Sequence, residues 1–478
     1  MRKSVVAGAV VVVAAGAWAG APYVSGVWAE EAFRDNLKAL SGNPQMDVQL
    51  KDYHRGWRHA TADSRLTVHT PEKDFTFRLH HEIEHGPSFS LPALARVTTT
   101  PTVAEDQAKT VSYYFGDRAP LKLEVRIGFS GAQHMTLSSP AYHGPLHSDE
   151  SVRLDWQGLS GTAELSAGHD RVRLALQAPG LKVAGDKGKV ALKGLSAHSR
   201  MHKEAEDLWL GESHMALERL SLDAPNPEEG GRIRTTVENI SGDQTIAEGE
   251  AKDLLNLSGG WGFERATVDG RSFTDGALAM EFDRIDRGAY RELQSRAREL
   301  QSRGLDPEAL NQENLALFQD LAPRFLGRSP ALKISRLSVE TEDGRLQATA
   351  EARYRGDPDQ EQLPASAAAM LQRLTAHAKL TVAKELLATL LHATVEKSLM
   401  AKKGMDPERA RQMAPQVVQM RLGMLQGMGI LKAEDDHYRA EATWKEGAVT
   451  VNGRPLGMGG GPGAGAPAMP GGGAPATP

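Results

Sequence analysis

The chain has 478 residues, 40% of them hydrophobic, which is enough to bury one large core or two to three ordinary ones and argues against wholesale disorder. Acidic and basic residues nearly balance, 61 against 56, so no global field marks a nucleic-acid binder, and none is expected as a partner. The absence of cysteine excludes disulfides, thiolate metal sites and a lipidated N-terminal cysteine.

The first element is a membrane segment. After Arg2 and Lys3, residues 4–29 carry no charge, and Glu30 and Glu31 follow. As a helix this run would reach roughly 39 Å at ~1.5 Å per residue, more than a hydrocarbon core needs. Cations before it and carboxylates after it orient the N-terminus to the cytoplasm and the bulk outside. A cleaved signal peptide is the competing reading, since Ala17-Trp18-Ala19 fits the small-x-small rule, but the uncharged run continues ten residues past that site. Residues 1–29 are therefore read as a retained single-pass anchor, and the remainder as exported.

Residues 30–285 form a β-rich region in which apolar and polar positions alternate between Gly, Asp, Asn and Pro breaks. "RVRLALQA" sets Val172, Leu174 and Leu176 on one face opposite Arg171, Arg173 and Gln177, the pattern of a half-buried strand. "LKLEVRIGF", "SVRLDW", "KVALKGL" and "ALAMEF" behave alike. A small phrase recurs at irregular spacing: Gly158-Leu159-Ser160, Gly194-Leu195-Ser196, Arg219-Leu220-Ser221, Asn239-Ile240-Ser241, Asn256-Leu257-Ser258 and Arg336-Leu337-Ser338. It predicts strands added one after another to one long sheet, each ending in a similar turn.

Two helical insertions interrupt the alternation, one in 286–330 and one in 384–431 within a second strand-bearing region, 331–456. Both bend at the same phrase, Gly304-Leu305-Asp306-Pro307-Glu308 and Gly404-Met405-Asp406-Pro407-Glu408. Glycine ends one helix in the left-handed region, aspartate caps the next, proline fills its first turn and glutamate meets the positive end of its dipole. Two helical hairpins beside the sheet follow. Met413, Met420, Met424 and Met428, with Val417, make a stripe on the last helix; flexible methionines suit a promiscuous apolar surface, but the commoner arrangement, a helix face packed on the sheet, is the expectation. Residues 457–478, rich in Gly, Pro and Ala, are read as a disordered tail. The fold class expected is α+β, mostly β: a long antiparallel meander with two helical hairpins after one transmembrane helix.

The densest cluster of chemistry is "HHEIEHGPSF", residues 80–89. His81 and His85 match the H-E-x-x-H string of zinc proteases, which needs a helix. The preceding "DFTFRLH" alternates as a strand and Gly86-Pro87 would end any helix at once. A strand closing in a Gly-Pro turn, with His80, His81 and His85 at its exposed edge, is the expectation, and a second His-Gly-Pro at 143–145 is read as a turn as well. No catalytic serine elbow or phosphate loop is present: "GFSG" at 128–131 lacks the strand–elbow–helix context. No catalytic, cofactor-binding or metal residue is assigned, and no cofactor is expected.

In order along the chain, a Lys-bearing N-terminal anchor, Tyr53-His54-Arg55-Gly56, Glu84-His85-Gly86-Pro87, Arg126-Ile127-Gly128-Phe129-Ser130-Gly131 and Val449-Thr450-Val451-Asn452-Gly453 make this sequence resemble the YdgA-like family of Gram-negative envelope proteins, whose function is uncharacterised. The resemblance implies an inner-membrane anchor with a large β-rich periplasmic part and carries no catalytic residues. The expectation is a non-enzymatic envelope protein whose sheet offers an apolar surface to a lipid, an envelope protein or a second copy of itself. The alternative is a metal-dependent hydrolase centred on His81 and His85, which requires a third ligand to converge on them.

Overall fold

The computed structural model describes residues 30, 33, 34, 37 and 46–456, apart from 70–73, 89–90, 103–104, 206–207, 227–230, 304–306, 358–363, 365 and 404–405. The expected anchor, the Gly/Pro/Ala tail, and the hinge residues Gly304, Leu305, Asp306, Gly404 and Met405 lie outside the described residues.

The chain is mostly strand, laid out as one antiparallel sheet. It begins with β1 (Met46–Arg55), β2 (His59–His69), β3 (Asp74–His85) and β4 (Ala95–Thr102). A helix, α1 (Glu105–Phe115), precedes β5 (Lys122–Ile127) and β6 (Gln133–Ser139). Next come β7 (Tyr142–Leu146), β8 (Asp149–Trp156), β9 (Leu159–Leu165) and the long β10 (Arg171–Gly185), whose two halves pair with β9 and β8. Five more long strands follow: β11 (Gly188–Ala205), β12 (Leu208–Pro225), β13 (Arg232–Glu248), β14 (Leu254–Val268) and β15 (Arg271–Asp286). The first hairpin, α2 (Arg287–Ser302) and α3 (Pro307–Gly327), leads to β16 (Ala331–Thr341) and β17 (Gly344–Tyr354). After α4 (Ala367–Gln372) and β18 (Leu374–Ala383), the second hairpin is α5 (Lys384–Lys403) and α6 (Pro407–Gly427). The sheet closes with β19 (Lys432–Glu434), β20 (His437–Lys445), β21 (Ala448–Val451) and β22 (Arg454–Leu456).

Nearly every strand pairs with its sequence neighbour, so local turn chemistry sets the topology. Asp269-Gly270, Glu446-Gly447 and Asn452-Gly453 join their strands with positive φ at both residues, the two-residue turn whose twist matches the strands it connects.

The recurring phrase does something other than end strands. Gly158 (φ 92), Gly194 (φ 68) and Asn239 (φ 51) open three of its six copies and Asp275 (φ 51) joins them; Gly158 lies between β8 and β9, and the other three sit on the alternate strands β11, β13 and β15. The pairing register places them on one line with Pro179, Glu218 and Glu264, and the ladder is skipped along that line. On both sides apolar residues alternate, but they change parity across it, as with Leu174, Leu176 and Ala178 against Leu181 and Val183 on β10. A left-handed residue within a strand disturbs the two-residue alternation in this way. Gly194 has no freedom to carry a side chain, since a Cβ would lie 2.4 Å from Glu218 Cγ.

The first hairpin is fastened by Asp286, which ends β15. Its carboxylate accepts from the Ala289 amide at 2.7 Å, capping α2, and from Arg328 Nε at 3.1 Å at the exit of α3. In the second hairpin Asp406 holds the capping position of α6, but its side chain makes no capping bond. That helix buries Ala410, Ala414, Val418 and Leu422 against α5, Val382 and Tyr438. Its methionines do not follow the expectation: Met413 packs at the edge of this core, whereas Met420, Met424 and Met428 are exposed. At that end of the helix Met420 and Met424 point away from the buried Val418 and Leu422, and Met428 is the C-cap that follows.

The buried core falls into separate clusters. One lies at β1–β5 under Phe33 and Leu37, one joins the ends of β12–β15 to Tyr290, one is inside the first hairpin, and one is under the second. Much of the sheet between the first two has no helix on either face among the described residues.

Candidate functional site

His81 and His85 lie on β3, not on a helix. Four residues along a strand separate them by about 13 Å, against about 6 Å on a helix, too far for both to bind one zinc through bonds of ~2 Å. Neither is at an exposed edge, contrary to expectation: His81 is 2% exposed and His85 1%. His81 stacks edge-on against Phe33 and makes hydrogen bonds with Ser64 Oγ (2.7 Å, through Nε2) and Thr99 Oγ1 (2.8 Å, through Nδ1). Burial, aided by neighbouring His80 and opposed by Asp63, pushes its pKa down to about 4, so it is neutral at pH 7. His85 is likewise held below its usual range, chiefly by burial, and neither ring nitrogen makes a well-formed hydrogen bond. His80 alone of the three reaches solvent and meets Asp63 at 2.9 Å. Among the described residues no three metal-ligating side chains converge. Serine, histidine and threonine are arranged here as a sealed relay that satisfies a core imidazole. The second His-Gly-Pro is not a turn: it runs inside β7, where Pro145 can sit because one side of that short strand is unpaired.

The large open site is elsewhere and was not named by any motif. Directly opposed residues of an antiparallel sheet share a face, so the register can be read as rows across the strands. One row runs Leu123, Leu137, Gly161, Leu176, Ala197, Met215, Gly242, Trp261, Leu278 and Leu337 from β5 to β16. Its neighbour runs Val125, Met135, Ala163, Leu174, Ser199, Ser213, Gln244, Gly259, Met280 and Ile334. The intervening positions on the opposite face carry cross-strand ion pairs: Arg173–Glu164 at 3.6 Å, Arg200–Glu212 at 3.2 Å, His214–Asp243 at 2.6 Å and Lys333–Glu281 at 3.2 Å. Exposed pairs of this kind add little stability but mark that side as the wet one.

From β5 to β15 the apolar rows line a trough of about 990 Å³. Large side chains on its floor remain open, with Leu174 47% and Trp261 56% exposed. An open apolar trough with few polar groups is the kind of surface on which an apolar partner binds. The polar interruption is modest: Ser199 and Ser213 hydrogen-bond each other at 2.9 Å on the floor, with Gln244 next in the row. The trough starts where the protein's own cover stops. The same rows continue through Thr99 and Val97, His81 and Ile83, and Ala62 and Ala60 on β4, β3 and β2, and there Phe33 and Leu37 lie over the sheet.

The family model described as "Bacterial protein of unknown function (DUF945)" matches residues 1–458. The chain belongs to that family. No curated protein and no solved structure matches the chain. The DUF945 match spans the β1–β5 unit, the trough and both hairpins alike, so all three fall within what the family shares in length. Among the described residues no helix is long and apolar enough to cross a membrane, and the uncharged segment 4–29 is not among them.

Proposed function

We propose that this is a non-enzymatic, membrane-anchored protein of the bacterial envelope, of the YdgA-like kind, that holds lipid acyl chains in the trough. The observation that carries the reading is the pair of apolar rows from β5 to β16 with, among the described residues, no segment over them and no charged cluster on that face. An extended hydrocarbon fits such a surface because it needs length and desolvation and asks for few hydrogen bonds. The uncharged segment 4–29, ahead of Glu30, supports a home at the inner membrane with the sheet in the periplasm. The buried, separated histidines give the metal-hydrolase alternative no support.

The test uses Trp261 as a reporter on the floor of the trough. Full-length protein in amphipol is titrated with a fatty acid bearing a doxyl quencher in its chain. Tryptophan emission is expected to fall saturably, and Trp261→Phe to remove most of that change while Trp57→Phe does not. Equal quenching in the wild type and the Trp261→Phe variant, or none in either, would refute the reading.

A further inference from the structure

The position of the trough relative to the start of the chain gives it a direction. Glu30 follows directly on the uncharged segment and is tied to the sheet, pairing with Arg34 at 2.9 Å and with Arg55 at the end of β1 at 3.5 Å. Phe33 then covers the apolar rows over β1–β4. The β1–β5 end of the sheet is thus the end held next to the anchor, and the trough opens at β5, immediately past that cover. Every later strand stands one strand width further away. The second row continues without a break to Ala350, Ala378, Ala442 and Val451, crossing from β5 to β21 in thirteen pairings. At ~4.8 Å per strand that is about 62 Å, roughly twice the hydrocarbon thickness of a bilayer.

We propose that the trough is a one-ended lipid conduit, loaded with acyl chains from the inner membrane at β5–β6 and carrying them strand by strand toward β15 and beyond. This rests on the acyl-chain reading above and adds the entrance and the order of filling. Other occupants fit the geometry poorly. The chain's own segment 457–478 offers Met458 and Met469 as its only large apolar residues, too few to fill a trough of about 990 Å³. A second copy seated on the same face would exclude lipid and leave both positions in the test below unlabelled. A bilayer beside the entrance supplies extended apolar chains without limit.

A conduit fed from one end can be plugged, whereas a surface that loads along its whole length cannot. Full-length protein is reconstituted into phosphatidylethanolamine–phosphatidylglycerol vesicles containing alkyne-tagged acyl chains. A photocrosslinking residue is placed at Met135 on β6, near the entrance, or at Met280 on β15, beyond the middle. Leu174→Arg on β10 and Ala197→Arg on β11 are the plugs; Leu174 is 47% exposed, so a charge there need not enter the core. With either plug, tagged lipid is expected to remain on Met135 and to drop at least tenfold on Met280. Unchanged labelling of Met280 in a plugged chain that melts like the unplugged one would overturn the conduit while leaving acyl binding intact. No labelling at either position in the unplugged chain would overturn both.

Discussion

His81 should make the β1–β5 unit sensitive to acid, and its surroundings fix the size of the effect. Its ring is 2% exposed and its pKa is depressed to about 4, from 6.5 in an unfolded chain. Between those values the unfolded chain binds a proton that the folded one refuses, so stability is complete above pH 6.5 and is lost as the pH falls toward 4. The linkage relation gives a loss of about 2 kcal/mol at pH 5 and about 3 kcal/mol at pH 4 from this residue. His85, shifted the same way by burial, adds to it. The assay is hydrogen exchange by mass spectrometry on peptides covering β2–β4, corrected for intrinsic exchange, at pH 7.5 and 5.0, in the wild type and in His81→Gln. The amide can still donate and accept beside Ser64 and Thr99 but does not titrate. The wild type should lose about 2 kcal/mol more protection than the variant over this interval. Equal losses to within about 0.5 kcal/mol would refute the claim that a neutral imidazole is enforced here.

Leu174→Asp should reduce fatty-acid affinity at least tenfold in the doxyl quenching titration while moving the thermal midpoint little, since Leu174 is 47% exposed. Gly276→Ala should destabilise the β14–β15 pairing by about 1–3 kcal/mol in urea melts, because the new Cβ would lie 2.1 Å from the Phe263 ring. At Asn239, where φ is 51°, replacement by valine should cost about 1–2 kcal/mol, whereas glycine should be tolerated; a valine variant as stable as the wild type would show that the left-handed backbone there is not required.

Much of the architecture could be read from local pattern because each element depends on its near neighbours. Alternation in "RVRLALQA" gave a strand with an apolar and a charged face, and β10 has both. The Asp-Pro-Glu phrases placed the two hairpins, since a helix start is a short-range event. The helix α1 escaped because 105–115 sits between strands and lacks a strong breaker at its start. His81 and His85 looked chemically active because spacing in a motif is meaningful only for one backbone geometry, and a strand spreads the same letters twice as far apart. Met420 and Met424 pointed outward because Val418 and Leu422 take the buried face at that end of α6. The trough was half legible. Each strand showed its apolar residues, but that the rows would line up over ten strands with no described segment on top is a property of register and cover, which no single segment contains.

The kink line bears on how a sheet of this kind can change in length. Left-handed residues fall on alternate strands, Gly194 on β11, Asn239 on β13 and Asp275 on β15, with Glu218 and Glu264 between them. The unit that repeats is therefore a hairpin of two strands. Excising β12 and β13 together would set Gly194 opposite Glu264, the same kind of neighbour that it has now, and both rows would close up two strands shorter. Removing one strand would instead reverse the direction of everything after it and leave the line out of step. Sheets assembled on this rule can be tailored in increments of about 10 Å, so the reach of the apolar surface is open to selection, or to design, without any change to the chemistry of its turns.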